Sequence, residues 1–127
     1  MNYTIPADGL ISINTPNYPN NYKNNEFCRW FIRGADNVQA GRRKRAARGV
    51  SITIKDFVTE EYYDVMKIGL GDNISDKNSV VMEASGPFAP PDLQMDGSVF
   101  WITFNADPDK TERGFSIYLE DMGYTRE

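Results

Sequence analysis

Histidine is absent from the 127-residue chain, and cysteine occurs only once, at Cys28. Without an imidazole, the chain has no Ser-His or Cys-His catalysis, no histidine general base and few of the usual catalytic zinc sites. One cysteine cannot close a disulfide within the chain, so the cysteine count alone favours a reducing compartment or gives no compartment signal. These absences argue against most kinds of enzyme active site.

Long apolar runs are also missing. No segment approaches the roughly 18 apolar residues that a membrane helix requires. Residues 1–13 have neither the basic n-region nor the apolar h-region of a signal peptide. The sequence therefore predicts no membrane segment in this chain, and any secretion signal would lie outside it. Its apolar content of 40% and its length predict one domain with its own core.

Charge is distributed unevenly along the chain, which has a formal net charge of −4 from 14 basic and 18 acidic residues. Five basic residues lie close together in one segment: Arg42, Arg43, Lys44, Arg45 and Arg48. This basic segment fits a proprotein-convertase site with cleavage after Arg45 or a solvated loop. It also fits a glycosaminoglycan- or carbohydrate-binding module in which residues 42–48 contact heparan sulfate or another polyanion. Nucleic-acid binding is not expected, because no aromatic stacking surface lies near it and the net charge is negative.

Apolar and polar residues alternate with the period of β-strands. The pattern is clearest at residues 28–33 and 51–57, and the second of these segments is predicted to bend near its end. Further strand-like segments are residues 10–13, 65–68, 79–82, 98–104 and 115–120. Segments rich in Gly, Pro, Asn and Asp separate them, and no helical stripe is sustained. The pattern predicts an all-β domain, either a sandwich or a barrel.

Three motifs in this order resemble the CUB domain family: "GLISINTPNYPNNYKNNEFCRWFI" at residues 9–32, "ITIKDFVTEEYYDVMKI" at residues 52–68 and "VFWITFNADPDKTERGFSIYLE" at residues 99–120. The resemblance implies a jelly-roll-like sandwich of two antiparallel sheets over residues 9–121, with residues 1–8 as an N-terminal extension and residues 122–127 as a tail or linker. It also implies a non-catalytic module of a larger protein, either secreted or the ectodomain of a membrane protein.

The cysteines depart from the family pattern, which has two disulfides. Cys28 matches the second family cysteine, whose partner would lie near or before residue 1. The other disulfide is missing, and its two positions would fall near Tyr62 and Ser85. The expected extracellular location therefore comes from the resemblance and not from the cysteine count. The triplets "NYT" at Asn2 and "NIS" at Asn73 are candidate N-glycosylation sites.

The resemblance further implies a calcium site at one end of the sandwich, with an acidic surface that captures a Lys or Arg of a partner protein. Position by position, the metal residues would be Glu60, Asp64 and Asp107. Asp109 matches a position that usually offers a backbone carbonyl, Tyr22 would orient a carboxylate through its phenol, and Glu61 is a fallback ligand.

Three carboxylates held together would repel one another, and a cation that takes roughly six to eight oxygen ligands would reverse this. Magnesium is less favoured because it prefers a tighter octahedral site. A straight strand would separate Glu60 and Asp64 by roughly 13 Å, so residues 61–63 must bulge or turn. The alternatives are solvated loop carboxylates and, with less support, a two-carboxylate hydrolase.

Overall fold

The computed structural model describes residues 1–6, 9–34, 49–95 and 99–121. These residues form two β-sheets and a single turn of 3₁₀ helix, Lys77–Ser79. The strands are β1 (Asn2–Thr4), β2 (Leu10–Asn14), β3 (Phe27–Arg33), β4 (Val50–Val58), β5 (Val65–Leu70), β6 (Val80–Ala84), β7 (Leu93–Met95), β8 (Val99–Asn105) and β9 (Gly114–Asp121). Within these described ranges, no helix has the length and apolar character needed to cross a membrane.

One sheet has five strands in the order β1-β3-β8-β5-β6, and the other has four in the order β2-β9-β4-β7. All pairs are antiparallel except β1 with β3. The predicted two-sheet antiparallel sandwich is therefore confirmed. The short strands β1 and β7 were not predicted. β1 lies in the segment that the motifs place before the domain, and the neighbouring Ile5 is fully buried and donates its N–H to the carbonyl of Arg33.

The core lies between the two sheets, where alternate side chains of facing strands meet. Phe115 of β9 stands at its centre, with its ring 5.5 to 5.9 Å from the rings of Phe104, Phe57 and Trp30. Each large side chain buried in this way contributes about 1.5–3 kcal/mol to stability. Cys28 is buried on the same face, and burial raises the pKa of its thiol to about 11. It is therefore a buried apolar group, as its place in the strand predicts.

The predicted bend of β4 is a register shift between Ile54 and Asp56 in the pairing with β9. The shift breaks the alternation, so Phe57 enters the core while Asp56 turns outward. There Asp56 accepts two hydrogen bonds from Arg113, at 2.6 and 2.7 Å, and one from the Tyr18 phenol at 2.6 Å. Sequence reasoning missed this network, because its three members are far apart in the chain.

The Asp56 network predicts a loss of stability in acid. The guanidinium of Arg113 lowers the pKa of Asp56 from 3.8 to about 2. A carboxyl group whose pKa is lower in the folded state stabilises the fold at any pH above its pKa in the unfolded state. This stabilisation is lost as the pH falls through its pKa in the folded state. Because both side chains are partly exposed, we expect Asp56→Asn to cost about 1–2 kcal/mol at pH 6 and much less at about pH 2. Urea unfolding at the two pH values, with Asp72→Asn as an exposed control, measures the difference. An equal cost at both would contradict the ionic role.

Candidate metal centre

A tight turn between β4 and β5 brings Glu60 and Asp64 together. The carbonyl of Glu60 accepts the N–H of Asp64 at 3.0 Å and that of Tyr63 at 3.3 Å. Tyr62 has a φ of 73°, a left-handed conformation that reverses the chain. The chain thus makes the turn that the spacing of the two carboxylates requires.

The third carboxylate comes from the end of β8, which lies beside β5 in the five-stranded sheet. Val65 and Asn105 are paired there, so the residues before β5 and after β8 are neighbours. The Asp107 N–H donates to Asp64 Oδ1 at 2.8 Å. One oxygen each from Glu60, Asp64 and Asp107 lies within 4.8 Å of the other two. We call these three residues the acidic cluster.

Tyr22, from the loop between β2 and β3, forms hydrogen bonds with two residues of the acidic cluster. Its buried phenol donates to Asp64 Oδ2 at 2.5 Å and accepts the Glu60 N–H at 3.2 Å. The backbone N–H of Tyr22 bonds the carbonyl of Glu112. The structure therefore places Tyr22 against a cluster carboxylate, in the position that the resemblance implies for it.

The electrostatics of the acidic cluster are unfavourable without a cation. Burial first, and then the negative charge of Asp107, raises the pKa of Glu60. Burial also raises the pKa of Asp64, although the hydrogen bond from Tyr22 opposes the shift. Among the described residues, Glu60 Oε1 is buried without a hydrogen-bond partner. Buried carboxylate oxygens normally have partners, so the chemistry of this all-oxygen donor set fits a hard divalent cation.

Two other predicted residues lie outside the acidic cluster. Asp109 is exposed, and its backbone N–H donates to Asp107 Oδ1 at 3.1 Å. Glu61 is exposed and packs beside Gly86. Neither carboxylate joins the oxygens that the structure brings within 4.8 Å of one another in the described part of the chain.

The turn is anchored by contacts that sequence reasoning missed. Thr59 and Gly86 exchange two hydrogen bonds, from the Thr59 N–H to the Gly86 carbonyl at 2.9 Å and from the Gly86 N–H to Thr59 Oγ1 at 3.0 Å. The Tyr62 N–H donates to Ser85 Oγ at 2.9 Å. The positions near which the missing disulfide would fall are thus joined by a hydrogen bond instead. The only sequence signal for this contact is the family position of that disulfide.

The remaining predicted sites are peripheral or outside the described residues. Arg42, Arg43, Lys44 and Arg45 lie outside them, so cleavage there and contact with heparan sulfate remain predictions. Asn2 and Asn73 are both exposed, and Asn73 Oδ1 accepts the Ser75 N–H at 3.0 Å. Glycosylation of either asparagine also remains a prediction.

Residues 7–119 match the family model described as "CUB domain". This chain belongs to the CUB domain family. CUB domains are generally non-catalytic interaction modules of larger extracellular proteins.

Among curated proteins, the chain is 29% identical to fibropellin-3 of Strongylocentrotus purpuratus, over 87% of this chain and 18% of that protein. It is 28% identical to human cubilin over 90% of this chain and 3% of that protein. The chain therefore spans only a small part of these relatives.

The fold of the CUB domain is shared with the crystal structure of the MASP-1 CUB2 domain bound to Ca²⁺. The two superimpose with a TM-score of 0.72 at 21% identity, covering 94% of this chain and 96% of the other. At this level of identity the likeness shows the fold alone.

Proposed function

We propose that this CUB domain binds one calcium ion through Glu60, Asp64 and Asp107 and captures a basic side chain of a protein partner at the same pole. The observation that carries the proposal is the meeting of three carboxylate oxygens within 4.8 Å. One of these residues, Glu60, has a buried oxygen with no hydrogen-bond partner among the residues that the structure describes. The role is non-catalytic and belongs to a module of a secreted protein or of a membrane protein's ectodomain.

The donor set favours calcium over other cations. All three side-chain ligands are carboxylates, which suit hard cations, whereas zinc and copper sites in proteins mostly use histidine or cysteine. Calcium completes its shell with carbonyl and water oxygens and tolerates irregular geometry, while magnesium demands a tighter octahedron. The calcium ion in the MASP-1 CUB2 structure, which has the same fold, supports this choice.

Partner capture follows from the charge that remains. Three carboxylates and one divalent cation leave a net charge of about −1, and the exposed Asp109 and Glu61 stand nearby. The electrostatic attraction between this site and a positive charge close to it is about 1 kcal/mol in water, and it is larger where water is excluded. A Lys or Arg on a protein partner is the group that this surface suits. The interaction role of CUB domains in general supports the proposal.

Calcium is expected to raise the thermal midpoint of the wild-type domain by at least about 5 °C relative to chelator, because it binds the native state alone. Asp107→Ala removes one cluster carboxylate, so calcium should no longer shift its midpoint. Asp72→Ala, at an exposed acid outside the cluster, is the matched control and should keep the full shift. Calorimetric titration with calcium gives the stoichiometry, for which one ion is expected. Equal wild-type midpoints in calcium and chelator would rule the proposal out.

A further inference from the structure

A groove on the outer face of the five-stranded sheet lies next to the acidic cluster. Its volume is about 290 Å³, and its lining includes Phe27, Tyr63, Lys67, Glu83, Trp101 and Asn105. We call it the aromatic groove. The role proposed above involves the acidic cluster but leaves this groove unexplained.

Strand register places one end of the groove next to the acidic cluster. Phe27 of β3, Asn105 of β8 and Val65 of β5 are paired across the sheet and form its last row at this end. Asp64 directly precedes that row, and Asp107 follows it by two residues, a distance of roughly 7 Å along the chain. An extended ligand could therefore contact the cluster and the groove at the same time.

The floor of the groove contains the indole of Trp101. Trp101 is 1% exposed, and within the described residues its Nε1–H has no hydrogen-bond partner. Its ring lies on the backbone of Gly69, where an added Cβ would be 2.1 Å from the indole. Because that nitrogen is covered, Trp101 offers the groove only the part of its ring that lines it, and its indole resonance reports a ligand bound there.

The rim of the groove exposes two aromatic rings. Phe27 is 50% exposed and Tyr63 is 65% exposed. Aromatic side chains at such positions often dominate the binding energy of an interface, because they bury a large rigid surface. A partner that covers them needs an apolar side chain, and the adjoining negative charge calls for a basic one beside it.

We propose that the aromatic groove binds an extended segment of a protein partner in which a large apolar residue lies about two positions from a Lys or Arg. The basic side chain contacts the acidic cluster while the apolar side chain enters the groove. This inference rests on the proposed function, since it names the kind of partner segment that the calcium site recruits.

The test begins with a random peptide library, about 12 residues in length, selected on the calcium-loaded domain. We expect the recovered peptides to share a basic residue with an aromatic or large aliphatic residue about two positions away. A synthetic peptide with this motif should shift the indole Nε1–H resonance of Trp101 on titration and leave that of the core residue Trp30 in place. Peptides without the motif, or a motif peptide that leaves Trp101 unmoved, would overturn the inference.

Variants then test the groove itself. Phe27→Ser should weaken binding of the motif peptide about tenfold or more, whereas Phe88→Ser, at a ring that is 82% exposed outside the groove, should not. Equal affinities would overturn the inference. A Trp101 shift that depends on protein concentration without peptide would also overturn it, because a second copy would then fill the groove. Calcium melts run in parallel separate the two failures: no calcium shift refutes the proposed function, while normal calcium binding with no groove effect refutes this inference alone.

Discussion

Gly114→Ala is expected to lower the free energy of unfolding by about 3 kcal/mol or more, the largest stability effect that we predict. Gly114 begins β9 with a φ of 86°, which is strained for any residue with a Cβ. The added Cβ would also lie 1.9 Å from Thr15 Oγ1. Thr15 cannot easily move away, because its side chain is buried and its hydroxyl accepts the Phe115 N–H at 3.1 Å. Backbone strain and a steric clash with Thr15 therefore both destabilise an alanine at this position.

Gly71→Ala separates the two penalties. Gly71 has a φ of 82°, almost the same as Gly114, but in the described part of the chain no atom lies within 4 Å of the position of an added Cβ. Only the backbone strain remains there, so a loss of about 1 kcal/mol is expected. Urea unfolding of the wild type and of both variants gives the comparison. If the two alanine variants lose the same stability, the close approach of Thr15 to Gly114 does not contribute.

Tyr22→Phe is expected to weaken calcium binding about 10- to 100-fold, although Tyr22 offers no carboxylate to the ion. Its phenol hydrogen-bonds both Asp64 Oδ2 and the Glu60 N–H, so it orients two of the three proposed ligands. Partners that orient metal ligands typically have effects of this size. The variant also leaves a buried carboxylate oxygen without its donor, which should cost about 1–3 kcal/mol of stability. Calcium titration by calorimetry measures the affinity.

Tyr18→Phe is the matched control for this prediction. Tyr18 also donates its phenol to an aspartate, at 2.6 Å, but that aspartate is Asp56, outside the acidic cluster. Loss of the Tyr18 hydroxyl removes a tyrosine–aspartate hydrogen bond but changes no contact of the proposed calcium ligands. Calcium affinity should therefore stay within about twofold of the wild type. An equal loss of affinity in both variants would mean that the effect is general destabilisation and not ligand orientation.

The longer strands could be predicted because their side chains alternate between the core and another environment. In β3, Cys28, Trp30 and Ile32 face the core while Arg29 and Arg33 are exposed, which the letters alone reveal. The three-residue strands β1 and β7 are too short to show a period and form only because a longer neighbour offers its edge. Trp101 is another exception: it lies on the outer face and is buried there, on the backbone of Gly69.

The acidic cluster was predictable in part, through motifs that resemble those of a family and not through spacing. In a straight strand, Glu60 and Asp64 would be too far apart to bind one ion. Their spacing in the sequence therefore required a turn between them but did not show how it forms. The left-handed Tyr62 and its N–H bond to Ser85 supply that turn. The carboxylates of Asp109 and Glu61 lie outside the cluster, and ligation by the backbone carbonyl of Asp109, which the motifs imply, remains a prediction.

By itself, the sequence determined the all-β class, the period of the longer strands, the exclusion of histidine chemistry and the acidic residue types near the strand ends. These properties depend on the identity of each side chain and on the alternation of apolar and polar residues, and both can be read directly from the sequence. The family motifs named three carboxylates and Tyr22, but only the tertiary structure decided that their side chains meet and that an aromatic groove lies beside them. Those contacts join segments dozens of residues apart, and their distances are set by strand order and register, which no local pattern encodes.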